Sequence, residues 1–156
     1  MHTDQRVFPA SPQDQMQAIA RAYVDQQIHC VVSFRGRLDI PALKSALRAL
    51  ASVEPSLGCQ FTVRGGKGCW ELREDAGGDG CLSTVCTDTP DAAVQRFAAG
   101  EARAERDPLV QALLVRSDSC DTLCLKVNHV VSDAAGVKEI ACLLGDLYSR
   151  YLSDGD

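Results

Sequence analysis

The sequence predicts an α/β domain of α+β-like character: a mixed, largely antiparallel sheet packed by about four helices. Three observations predict it. Segments with a 3.6-residue apolar period alternate with short β-branched runs along all 156 residues. Two pairs of strand-like runs are joined by tight polar or glycine turns, the signature of antiparallel neighbours. A long final segment keeps one apolar face through Val137, Ile140, Ala141, Leu144, Leu147, Tyr148 and Tyr151.

The elements follow in order. Ser11-Pro12-Gln13-Asp14 reads as a helix start, with Met16, Ile19, Ala20, Tyr23 and Val24 on one face. Residues 28–38 form a strand, and Asp39 caps a second helix striped by Leu43, Ala46, Leu47, Leu50 and Ala51, closed by Pro55. Residues 57–63 and 69–73 make a hairpin around Gly65-Gly66-Lys67-Gly68, with Trp70 the single tryptophan. A strand at 82–86 leads to Thr89-Pro90-Asp91. That signal opens a helix with Val94, Phe97 and Ala98 inward, Arg96 and Arg103 outward, and Pro108 at its end. Strands at 109–116 and 122–131 flank the turn 117–121, and the last helix follows at once.

A chain that is 46% hydrophobic and 24% charged suits a single domain over residues 1–156. The net charge of −5, without a dense Lys/Arg cluster, argues against nucleic acid or an anionic membrane as the main partner. No run approaches the roughly 18 apolar residues of a membrane span. The segment Met1–Arg6 lacks a signal-peptide core, so a cytoplasmic location is expected. Eight cysteines occur without a Cys-x-x-Cys pair or the knuckle-and-histidine spacing of zinc sites, and read as packed thiols. His2 and His29 read as a chain-end and a packed residue, and Glu74, Asp75 and Asp79 as solvated loop charge. Phosphate-loop, dinucleotide-binding and nucleophile-elbow motifs are missing from the sequence.

The chemistry-bearing candidate is the last strand-to-helix junction, Asn128-His129-Val130-Val131-Ser132-Asp133-Ala134, with Gly136 just beyond. Strict alternation places Leu123, Leu125, Val127 and His129 on one strand face, so an imidazole ends an apolar row. Held there, with a carboxylate one turn later, it is suited to act as a general base. The plainer reading makes Asp133 the cap of the last helix and His129 a satisfied histidine at the core's edge.

These residues resemble the His-His-x-x-x-Asp-Gly motif of the condensation and chloramphenicol-acetyltransferase-like acyltransferases. Further similarity lies in residues 8–16 with Ser11-Pro12-Gln13, in Gly36–Leu43, in Glu54-Pro55-Ser56-Leu57 through Phe61, and in Asp107-Pro108-Leu109. The resemblance implies the first of two lobes of the CoA-dependent acyltransferase fold. It also implies a second lobe or a homo-oligomeric copy as partner, and acyl-CoA or an acyl carrier protein's phosphopantetheine thioester as the donor substrate. No bound cofactor or metal is called for, and cofactor-binding residues are left unassigned. His129 takes the place of the catalytic histidine, and Asp133 that of an orienting aspartate braced by an arginine. Asn128 replaces the motif's first histidine, Ala134 its glycine, and Gly58 stands where the bracing arginine is usual. Arg64, six residues on and on the same side of an ideal strand, is the candidate replacement. An alternative is a non-catalytic lobe that docks a carrier protein or partner subunit. A third is an unrelated α/β domain with similar patterning, which a different strand order would reveal.

Overall fold

The computed structural model describes residues 7–20, 27–118 and 120–153. Tyr23 and Val24 of the expected first helical face, His2, and Ser119 of the last turn lie outside the described residues, as does the side chain of Asp79.

Seven strands and four α-helices are described. The short strand β1 (Val7–Pro9) precedes α1 (Pro12–Ala20), whose start is closed reciprocally: Asp14 N–H donates to Ser11 Oγ, and Ser11 N–H to Asp14 Oδ2. Strand β2 (Gln27–Phe34) leads to α2 (Ile40–Val53), where Asp39 accepts from the Ala42 N–H at 2.7 Å, as the sequence predicts. A 3-10 turn at Pro55–Gly58 feeds the hairpin of β3 (Cys59–Arg64) and β4 (Lys67–Leu72). Its turn has two residues, Gly65 and Gly66, both at positive φ, the geometry that matches the strands' twist and that glycine adopts without strain. Next come β5 (Leu82–Cys86), α3 (Pro90–Ala99), β6 (Val110–Arg116), β7 (Asp121–Asn128) and α4 (Ala134–Ser153).

The strands divide between two sheets. One is antiparallel, in the order β1-β4-β3; the other runs β2-β7-β6-β5, antiparallel except for the parallel pair β5 and β6, which α3 connects. Alternation assigns the two faces of the four-stranded sheet. Leu123, Leu125 and Val127 of β7, with Ala112 and Leu114 of β6, pack under α2 and α4; Cys124, Leu113 and Val115 pack under α3. Helix α4 contributes Val137, Ile140, Leu144 and Leu147 to this core. Tyr151, placed inward by the period, is exposed, while the Tyr148 hydroxyl accepts from the Asp39 N–H at 2.9 Å and ties α4 to the start of α2.

Four boundaries differ from the sequence expectation. Strand β2 ends at Phe34 rather than Leu38, because its partner β7 begins at Asp121 opposite Phe34. Strand β1 was not anticipated, being three residues held by pairing with β4 rather than by pattern. Helix α3 ends at Ala99, where Gly100 N–H bonds back to Phe97 O, so Arg103 sits in the following loop and pairs with Glu101 rather than projecting from the helix. Strand β7 stops at Asn128, three residues short of Val131.

All of β7 is buried, so its polar residues need partners. Asp121, fully buried, accepts from the Leu38 N–H (2.8 Å) and Arg37 (2.8 Å), with Arg116 Nε 3.4 Å away; Arg116 also donates to the Leu38 carbonyl. Burial alone would push this carboxyl's pKa up, but the Leu38 hydrogen bond and the two guanidiniums outweigh it and hold the value below the ordinary range. A depressed carboxyl stabilises the fold above its unfolded-state pKa, near 4, and loses that contribution as pH falls through the lower folded value. Asp121→Ala, which strands the Leu38 N–H and Arg116, is expected to cost about 2–4 kcal/mol in urea unfolding. Asp121→Asn is expected to flatten the decline in stability between about pH 5 and pH 2, measured as melting temperature against pH.

Candidate active site

The site is built where β7 ends. Asn128 N–H still donates to Leu109 O (2.8 Å), but its side-chain oxygen accepts from the Val130 N–H (3.1 Å) and its carbonyl from the Val131 N–H (3.1 Å). Such an Asx turn competes with the ladder and lifts the chain out of the sheet. His129 is therefore not the fourth member of the Leu123–Val127 row; it stands on an exposed loop beyond the strand. The Asn128 Nδ2 donates to Ala102 O at 3.4 Å, which fastens the turn to the loop before β6.

The loop is anchored by Val131, which packs against both the helix-covered core and the core under the three-stranded sheet. It closes on itself through His129 Nδ1 and the Ser132 carbonyl, 2.9 Å apart. A carbonyl only accepts, so the neutral ring carries its proton on Nδ1 and leaves Nε2 with a lone pair.

Asp133 caps α4. Its Oδ1 accepts from the Gly136 N–H at 2.8 Å and its carbonyl from the Val137 N–H at 2.9 Å. A Cβ on Gly136 would collide with Ser132 Oγ, so the tight loop end favours glycine there. Ala134 is the first helical residue; no described non-glycine residue has positive φ, so the alanine sits without strain. The expected arginine brace does not form among the described residues. Arg64 is committed to Glu71 on the neighbouring strand at 2.7 Å. Gly58 is buried, and a Cβ there would lie 2.9 Å from the Ala76 Cβ, too close for any larger side chain.

Two clefts flank the loop and share Ser56 and Val131. One, about 390 Å³, is walled by Phe8, Trp70, Val130 and Val131, with Asp14 at its side. The other, about 340 Å³, is bounded by Ser132, Gly136, Glu139, Leu143 and Glu54. His129 lines neither and stands on the loop between them. A third cavity, about 470 Å³, lies under α1 and the hairpin with Glu105 in its wall. Among the described residues none of the three carries a lysine or arginine.

Phe8, Asp14 and Trp70 were not singled out as site residues by the sequence. Ser11-x-x-Asp14 was legible as a cap, but the bond from Trp70 Nε1 to Asp14 Oδ2 (3.0 Å) spans 56 positions. His29 lies within β2 opposite Lys126, away from the loop. All eight cysteines are free thiols, and burial pushes those of Cys59, Cys81 and Cys124 up, away from nucleophilic use. Among the described residues no group of three or more His, Cys, Asp or Glu is placed to hold a metal, and no helix is long and apolar enough to cross a membrane.

No protein-family model matches the chain, and neither does any curated protein. Solved structures do match. The epimerization domain from the third module of tyrocidine synthetase B aligns at a TM-score of 0.80 and 14% identity, over 96% of this chain and 36% of that one. The starter condensation domain of rhizomide synthetase RzmA gives 0.74 and 17%, over 94% and 38%. The fold is that of one condensation-domain lobe. The SgcC5 protein from Streptomyces globisporus, in complex with a naphthyl ethanediol and sucrose, gives 0.75 and 20%, over 93% and 37%. The chain thus spans little more than a third of each of these structures.

Two outcomes follow for the lobe. Long-range ¹H–¹⁵N correlation spectra of the neutral His129 ring should show the protonated nitrogen at Nδ1 and a pyridine-like Nε2. If Asp133 acts only as a cap, Asp133→Asn should unfold in urea almost as the parent does, whereas Asp133→Ala should lose about 1 kcal/mol.

Proposed function

We propose that this lobe supplies the general base of an acyltransferase that moves an acyl group from a thioester to an alcohol or amine. The observation that carries the reading is the Nδ1 contact to the Ser132 carbonyl on an exposed ring, which leaves Nε2 as the proton acceptor. In the proposed step Nε2 takes the proton of the attacking hydroxyl or amine, the nucleophile adds to the thioester carbonyl, and the thiolate leaves with the proton that the imidazolium returns. Asp133 and Asn128 are positioning residues. One shapes the helix start, the other the turn that carries the imidazole.

The donor reads best as a carrier-protein phosphopantetheine thioester rather than CoA. CoA brings a diphosphate and a further phosphate, and among the described residues the clefts beside the loop present Asp14, Glu54 and Glu139 with no cationic side chain. A second lobe, from another polypeptide or another copy, completes the cleft in this reading. Eight free thiols suit a reducing cytoplasm. The test is acyl transfer by the chain joined to a second lobe. His129→Ala should lower kcat by about 10²–10⁴-fold, and unchanged turnover would remove His129 from the mechanism.

A second reading, a docking lobe without chemistry, draws on one feature: among the described residues Asp133 lacks the arginine brace that the motif ordinarily carries. Titration with acyl-CoA and, separately, with an acyl-loaded carrier protein separates the two, since carrier binding without turnover favours docking.

A further inference from the structure

The cleft walled by Phe8, Trp70, Val130 and Val131 contains a feature that the acyl-transfer reading leaves unused. Phe8 and Trp70 are register partners on adjacent strands, so both rings stand on one face of the three-stranded sheet. Trp70 is held from two sides: its ring meets the Phe61 edge in a T-shaped contact at 5.3 Å, and its Nε1 donates to Asp14 Oδ2. Phe8 is 48% exposed and offers its ring to the opening.

Asp14 completes the wall. Oδ2 takes the Trp70 Nε1–H and the Ser11 N–H, and among the described residues no lysine or arginine pairs with the carboxylate. Burial works to raise its pKa, but the bonds from Trp70 and Ser11 win and hold it below the ordinary value, so the group is ionised at neutral pH. Among the described residues, this anion beside two aromatic faces in an otherwise apolar cleft has no positive charge to complement it.

We propose that this cleft is a binding site for an organic cation, an ammonium on an aromatic or aliphatic body, held by Asp14 and the faces of Trp70 and Phe8. The proposal rests on the acyl-transfer reading only in taking this ligand as the acyl acceptor. Val130 and Val131 of the cleft wall follow His129 directly, so the cleft lies against the loop that carries the imidazole. The ammonium bound by Asp14 keeps its proton and anchors the molecule; the group acylated is a different hydroxyl or amine on the same molecule.

Trp70, the single tryptophan, reports on the cleft directly. The 156-residue chain is titrated at neutral pH with 2-phenylethylammonium and with its neutral isostere 2-phenylethanol, and tryptophan emission is followed. The expected result is a saturable change with the ammonium, about tenfold tighter than with the alcohol, weakened by salt and reduced to the alcohol's affinity in Asp14→Asn. No saturable change, equal affinities, or an unaltered preference in Asp14→Asn overturns the site. If circular dichroism shows Asp14→Asn to be unfolded, the ratio in the parent chain decides alone. The same titration on His129→Ala separates the two proposals: cation binding is expected to persist there, whether or not acyl transfer proves to depend on His129.

Discussion

The Asn128 carboxamide is the constraint on which the site depends. One residue earlier the backbone is still inside a fully buried strand; one residue later it must be outside the sheet for the imidazole to meet solvent. The side chain accomplishes this by accepting from Val130 on one side and donating to Ala102 on the other, so the turn is tied to two segments at once. Val131 then drops back between two apolar cores, and Asp133 closes the loop onto α4. The five residues from Asn128 to Ser132 have little freedom left, although His129 is itself exposed. These bonds fix the direction in which Nε2 points, which is the preorganisation that the proposed base requires.

The two ends of β7 solve opposite problems. At its start, Asp121 brings a charge into a fully buried position and is compensated by two guanidiniums and a backbone N–H. Further along, Lys126 is 3% exposed, donates to Gly100 O at 2.7 Å and stands 4.4 Å from the Phe97 ring centroid, so its ammonium is met by a carbonyl and an aromatic face. Both charges belong to the structure. The Asp14 carboxylate differs from both: it closes the start of α1 and holds Trp70, yet it stands at a cleft wall with no lysine or arginine beside it among the described residues, and the proposed cation site rests on that contrast.

What the sequence disclosed followed from locality. The caps at Ser11 and Asp39, the period of α2 and α4, the glycine hairpin and the β6–β7 pair are all set within a few residues, and each is found in place. The general position of the junction and the helix-capping role of Asp133 were legible for the same reason. The rest is non-local. Alternation carried His129 onto the leucine face because nothing nearby reveals that Asn128 will turn toward Ala102; Arg64 appeared available to Asp133 because its partner Glu71 lies across a hairpin. Only packing shows that Gly58 abuts Ala76 and excludes an arginine. Partners contributed by different elements, such as Trp70 for Asp14 or Arg116 for Asp121, leave no periodic trace.

The geometry also bounds what one lobe contributes. A positioned base is worth about 10²–10⁴ in rate, and a thioester transfer draws much of the remainder from donors aimed at the developing oxyanion and from excluded water. An exposed imidazole on an open loop meets the first need; the others require groups opposite Nε2 and a surface that closes over it. The surrounding clefts are acidic and apolar, which repels a hydrated phosphate tail and receives a cation or a hydrocarbon. On the proposed reading, a lobe arranged in this way is suited to hold the acceptor and its base, and the oxyanion contacts fall to the second lobe that the reading calls for.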